Sequence, residues 1–181
     1  MNLDITTAYK NYAFLGSEFL TFLWYLTDTN QDLNKCVSTD NQVEITLGDS
    51  IMIENTSVAE KPKEKITIKG EDAGLEEALL ALKKGGSITQ MNILCKIGEM
   101  DCNYTLKSAD LALTSLKAKL VASNPRDSEE LAGYLFERIY INETVTEVVN
   151  DLFKHFIKTR IADDWETETL PAIRKWIASE A

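Results

Sequence analysis

Residues 87–107 read SITQMNILCKIGEMDCNYTLK, and the fold follows from how this stretch alternates. Met91, Ile93, Cys95 and Ile97 are separated by polar Asn92 and Lys96, and Met100, Cys102, Tyr104 and Leu106 alternate with Asp101, Asn103, Thr105 and Lys107. Period-two alternation marks strands with one buried face. Gly98-Glu99 lies between the runs, and glycine at the first turn position suits a two-residue type II′ hairpin. That turn sets Ile97 opposite Met100, Cys95 opposite Cys102, Ile93 opposite Tyr104 and Met91 opposite Leu106. Lys96 and Asp101 then pair on the other face. A slip of one residue would turn both apolar sets to the wrong side, so the register is strongly specified.

Working outward, Ile66 and Ile68 alternate with Lys65, Thr67 and Lys69 as a strand that Gly70 ends. A helix is expected from about Gly74 to Lys84, with Leu75, Ala78, Leu79 and Leu82 on one stripe. Acidic residues near its start, lysines at its end and Gly85-Gly86 beyond complement the helix dipole and supply a stop. After the hairpin a third strand carries Leu111 and Leu113, and the parity shift between Leu113 and Leu116 predicts a bulge or an early strand end. Upstream, Ser17 is a plausible N-cap for a helix holding the apolar run Phe19–Leu26, which is apolar on nearly all sides and so reads as buried core. Val43, Ile45 and Leu47, then Gly48-Asp49, then Ile51 and Ile53 read as a second hairpin. Ser57–Glu64, with Pro62, is the best linker candidate.

From Asp127 to about Arg160, Leu131, Leu135, Ile139, Asn142, Val145, Val149, Leu152 and Phe156 recur at helical spacing. Ser123 or Asn124 is a candidate opening cap, with Pro125 near the first turn, and the β-branched stretch Ile139–Val149 is a candidate break. A helix this long spans the domain or lends a face to a second subunit. A last helix, about Leu170–Ala178, presents Ile173, Trp176 and Ile177. The expected class is α+β: an antiparallel sheet meander packed under helices, with a long C-terminal helix. Three segments organise it: 1–60 (helix plus hairpin lobe), 61–126 (strand, helix and hairpin core) and 127–181 (C-terminal helices), as one compact domain or two small lobes.

The 181-residue chain has a net charge of −10, which argues against indiscriminate nucleic-acid binding. The charge is unevenly spread: −7 over residues 1–60, +3 over 61–126 and −6 over 127–181. The basic centre reads either as a mixed solvated face or as a phosphate-facing patch using Lys65, Lys69, Lys96, Lys107, Lys117 and Lys119. Three cysteines give no disulfide framework; Cys95 and Cys102, facing each other, read as packed reduced thiols, with a bridge between them as the alternative. His155 has no acid or thiol partner at helical spacing. The carboxylates Asp163, Asp164, Glu166 and Glu168 are too close in sequence to suggest a two-metal centre and suit capping and solvation. No catalytic residue, cofactor or metal ligand stands out, and no enzyme activity is expected. The apolar run at Phe19–Leu26 is too short to span a bilayer, and no signal peptide is evident, so the cytoplasm is the expected compartment.

Ile66-Thr67-Ile68-Lys69-Gly70, the helix ending Lys84-Gly85-Gly86, and Ser87-Ile88-Thr89-Gln90-Met91 together resemble one block of the bacterial recombination-associated protein RdgC family. Asn103-Tyr104-Thr105-Leu106 and Leu113-Thr114-Ser115-Leu116-Lys117 continue the likeness. The run Phe14-Leu15-Gly16-Ser17-Glu18-Phe19-Leu20-Thr21-Phe22-Leu23-Trp24-Tyr25 resembles a stretch of divergent members, and the Leu152-Phe153 helix and Trp165 are compatible with it. Gly86 stands where the family has the lysine of a Gly-Lys-like step. The likeness is to the C-terminal part of the family, whose members have a further N-terminal half expected to be lacking here. The resemblance implies a non-enzymatic protein that binds duplex DNA without strong sequence preference, as a homodimer, in recombination. It makes Lys117 the most direct basic carry-over. The alternative is a protein-interaction or assembly module that keeps the fold without binding DNA.

Overall fold

The computed structural model describes residues 12, 14–55, 64–69, 73–119 and 127–179, with side chains for all of these except 64–65, 69 and 73–75. One five-stranded antiparallel sheet runs β2-β1-β3-β4-β5, built from β1 (Val43–Asn55), β2 (Glu64–Lys69), β3 (Gly86–Ile97), β4 (Met100–Lys107) and β5 (Leu113–Ala118). Helices α1 (Phe14–Asp28), α2 (Ala73–Lys83), α3 (Ser128–Arg160) and α4 (Leu170–Ser179) complete the α+β fold. A 3-10 turn (Leu33–Lys35) precedes β1, and a π turn (Trp165–Thr169) joins α3 to α4.

The β3–β4 hairpin has the expected register, including Ile97↔Met100, Cys95↔Cys102, Ile93↔Tyr104 and Met91↔Leu106. Gly98 has φ +59 and Glu99 has no positive φ, the pattern of a type II′ turn. Cys95, Cys102, Ile93, Tyr104, Met91 and Leu106 are all buried on the face the helices cover. The bulge expected in β5 is present: the β4–β5 register shifts between Asn103 and Thr105, and Ser115 takes φ +56.

The second hairpin is a correction. Val43–Asn55 is a single 13-residue strand paired with β3 along its length and with β2 in its second half. A two-residue turn at Gly48-Asp49 would set Glu44 opposite Ile53 and Thr46 opposite Ile51, dividing the apolar residues between two faces. The continuous strand keeps Val43, Ile45, Ile51 and Ile53 on one buried face and absorbs Gly48–Ser50 as a bulge, where the β1–β3 register shifts between Leu47 and Ile51.

Helix α1 lies against β3 and β1 and buries Phe19, Leu20, Phe22, Leu23, Trp24 and Leu26. Ser17 is not its N-cap: it sits inside the helix and donates its hydroxyl to Ile88 O at 2.7 Å. Next to it, Gly16 passes so close to the β4–β5 turn that a Cβ there would stand 1.8 Å from Ser108 O. Aromatic contacts tie the helices together, among them Phe19–Phe153 and Trp24–Trp176, both edge to face with centroids 5.2 and 5.3 Å apart. Trp176 Nε1 donates to Asp28 Oδ2 at 2.7 Å.

Helix α3 is capped by Asp127, whose carboxylate accepts from Glu129 N and Glu130 N. The candidate caps Ser123 and Asn124, and Pro125, fall outside the described residues, as does the linker candidate apart from Glu64. The β-branched stretch causes no break; the helix runs unbroken through 33 residues. Its buried residues lie between Ile141 and Phe156, and none precedes Ile141. Leu131, Leu135 and Ile139, expected on the buried stripe, are 45%, 50% and 52% exposed, and Asn142 is exposed too. The helix packs against α1 and β5, and its burial begins only at Ile141, so the first turns overhang.

Candidate nucleic-acid interface on the uncovered sheet face

The helices cover one face of the sheet, and its other face holds the polar half of each alternation. On it Glu44, Thr46, Leu94, Lys96 and Asp101 are exposed. Where β1, β3, β4 and the end of β5 run side by side, the surface dips into a shallow depression of about 510 Å³, lined by Glu44, Thr46, Leu94, Asn103 and three of the six expected lysines. These are Lys96, Lys117 and Lys119. Lys107 lies on the same face, six residues along β4 from Asp101 and so about 20 Å away. Among the described residues, none of the four is in an ion pair.

Lys65 and Lys69 belong to β2, at the register positions opposite Glu54 and Ser50; their side chains lie outside the described residues. Strands β2 and β5 are opposite edges of the sheet, about 19 Å apart at four strand spacings. The six positions therefore spread over a whole sheet rather than forming one pocket. Acids interrupt the spread. Lys96 is opposite Glu44 in β1 and opposite Asp101 in β4, so its row carries more negative than positive charge.

The face is shaped by a residue that the alternation places among the solvated ones. Asn92 belongs to the polar half of β3 yet is only 6% exposed, because the β1 bulge packs over it. Its Oδ1 accepts from Asp49 N at 3.3 Å, and its Nδ2 donates to Asn103 Oδ1 at 2.7 Å and to Tyr104 O at 3.1 Å. Gly48 is the residue that permits this, since a Cβ there would stand 1.8 Å from Asn92 Oδ1. Asn92 thus clamps the bulge of β1 to β4 across β3 and holds the strands that carry Lys96 and Asp101 in fixed register.

Of the other chemistry-bearing residues among those described, only Cys95 and Cys102 border the depression, from the buried side of their strands. Cys95 and Cys102 are buried free thiols. Burial pushes Cys95 up to about 12, with Cys102 adding to it, and burial chiefly raises Cys102, with Asp101 second. Both therefore stay protonated at neutral pH, a poor state for a nucleophile. His155 is half-buried beside Phe22, with ring centroids 6.1 Å apart; desolvation first and Lys158 second hold its pKa below the ordinary value. Asp163, Asp164, Glu166 and Glu168 are exposed around the π turn that buries Trp165. Among the described residues no three His, Cys, Asp or Glu side chains are grouped to hold a metal ion, and no helix is long and apolar enough to cross a membrane. Comparisons of the chain with protein-family models, with curated proteins and with solved structures find no match.

Proposed function

We propose that this chain is a non-enzymatic, DNA-associated protein that meets the phosphate backbone of duplex DNA, without sequence preference, through the uncovered face of its sheet. The observation that carries the reading is the shared depression of Lys96, Lys117 and Lys119, with Lys107 on the same face and no ion pair to any of the four among the described residues. Lysines spread over a broad surface suit contacts to phosphates, which position a duplex without reading its bases. The resemblance to the RdgC family supplies the ligand class and a role in recombination or replication. Glu44, Asp101 and the net charge of −10 set the expected strength: modest and steeply weakened by salt. Fluorescence anisotropy of a labelled mixed-sequence duplex tests the reading. Binding at low salt that tightens in Glu44→Gln/Asp101→Asn supports it, and no binding at low salt defeats it.

A second reading, an assembly module, is favoured by a different observation: the first turns of α3 hold large apolar side chains in solvent. The two readings concern different surfaces and are tested separately.

A further inference from the structure

Helices α1 and α4 are pinned together where Trp176 meets the end of α1. Its ring lies near edge to face with Trp24 and Tyr25, with centroids 5.3 and 5.7 Å apart, and its Nε1 donates to Asp28. Nearer the start of α1 the two helices border a cavity of about 380 Å³. Phe14, Glu18 and Phe22, at i, i+4 and i+8, line it from α1, and Leu170, Ile173, Arg174 and Ile177, at i, i+3, i+4 and i+7, line it from α4. Each set is one helix face. Trp165 forms a further wall, carried on the π turn from which α4 departs, and such turns recur at functional sites. The size falls within the range of about 300–1,000 Å³ of small-molecule sites, which are likewise mostly apolar with a few polar groups. Phe14, on the wall nearest the start of α1, is 48% exposed.

We propose that this cavity binds a medium-chain aliphatic monocarboxylate, its tail against Phe22, Trp165 and Ile173 and its carboxylate on Arg174. The site lies between helices, away from the uncovered sheet face, and its occupancy does not depend on DNA binding. Charge selects the head group. The lining holds two charged side chains, Glu18 and Arg174. Glu18 is already matched: Arg160 Nε donates to its Oε2 at 3.0 Å, and the same guanidinium lies 5.0 Å from the centre of the Trp165 ring. Arg174 is exposed and has no ion pair among the described residues. Its guanidinium fork matches a carboxylate held by two parallel hydrogen bonds. Glu166 and Glu168, exposed on the same turn as Trp165, make a doubly charged head such as a phosphate monoester costlier than a single charge. Length follows from the α4 wall. Leu170 to Ile177 spans about 10 Å, the reach of roughly eight extended carbons.

Isothermal titration of the full chain with hexanoate, octanoate, decanoate and laurate, each below its micelle concentration, is the direct test. The expected result is saturable binding at a single site that tightens about fourfold per added methylene and levels off beyond octanoate or decanoate. Arg174→Gln should weaken octanoate at least about tenfold and leave octanol unchanged. Arg174 is exposed, so the fold should survive the change, and circular dichroism checks that it does. Ile177→Trp, which fills the cavity, should abolish binding of both. Should that chain fail to fold, Thr21→Phe fills the same space from the α1 wall. The absence of saturable octanoate and decanoate binding overturns the site, as does binding that persists in a folded, filled variant. Octanoate affinity indifferent to Arg174→Gln overturns the assignment of the head group. So does decyltrimethylammonium binding tighter than decanoate, which would put Glu18 and the aromatic walls in charge of the cavity.

Discussion

Replacing Asn92 with leucine should cost more than its place on the polar half of a strand suggests. The substitution keeps most of the volume and deletes three hydrogen bonds, to Asp49 N, Asn103 Oδ1 and Tyr104 O. A hydrogen bond contributes about 1 kcal/mol net, and a buried partner left unsatisfied costs about 1–3 kcal/mol. Asp49 is exposed, so its amide finds water, but the Tyr104 carbonyl loses a bond in a buried setting. The expected destabilisation is about 2–3 kcal/mol, or roughly 5–10 °C in Tm for a chain of this size. Urea unfolding followed by circular dichroism measures it, with a lowered midpoint and an unchanged slope. A loss under about 1 kcal/mol would refute the clamp. Asn92→Asp gives a signed check. It keeps an acceptor for Asp49 N but sets a carboxylate against two acceptors, so the folded-state pKa of the new group rises above its unfolded value. Its stability deficit should then shrink below the unfolded value of about 3.9 and grow as pH rises through the folded one.

Two further outcomes are specific to single residues. Because the His155 pKa is depressed by desolvation and by Lys158, its contribution to stability is full above the unfolded value of about 6.5 and is lost as pH falls through the folded one; His155→Gln should flatten the dependence of the urea midpoint between about pH 7 and 5, and an unaltered slope would contradict this. In native protein near pH 8 an aromatic disulfide reagent should modify Cys36, the half-buried thiol, while Cys95 and Cys102 react only on unfolding; rapid native reaction at all three would show that the hairpin core is not packed as described.

What the sequence discloses depends on whether the deciding interaction is local. The β3–β4 hairpin is legible because its register follows from Gly98 and from alternation within one stretch of chain. The bulge in β5 is legible for the same reason, as a parity break between Leu113 and Leu116. Gly48-Asp49 resembles a turn locally, but the apolar residues on either side share one parity, and only a continuous strand keeps them on one face. Other features turn on distant neighbours. Glu44 faces Lys96 because β1 lies beside β3, an order that no local pattern discloses, so the acid that weakens the basic patch goes unseen. Asn92 alternates like a solvated residue and is buried only because a bulge from another strand covers it. The periodicity of α3 reports an apolar stripe truthfully but says nothing of whether a sheet lies under it, and beneath Leu131, Leu135 and Ile139 there is none. Which of the six lysines share a depression follows from the strand order and the course of β5 after its bulge, and neither is written in a local pattern.

The central claim, that the uncovered sheet face holds duplex DNA by its phosphates, is tested most directly by the salt dependence of anisotropy for the wild type and for Lys96→Gln/Lys117→Gln/Lys119→Gln. Each phosphate contact contributes about −0.9 to the slope of log K against log salt. Four lysines on the face predict a wild-type slope of about −3.6, and removing three should leave it shallower by about 2.7. No binding at low salt, or a triple variant with the wild-type slope and affinity, would contradict the account.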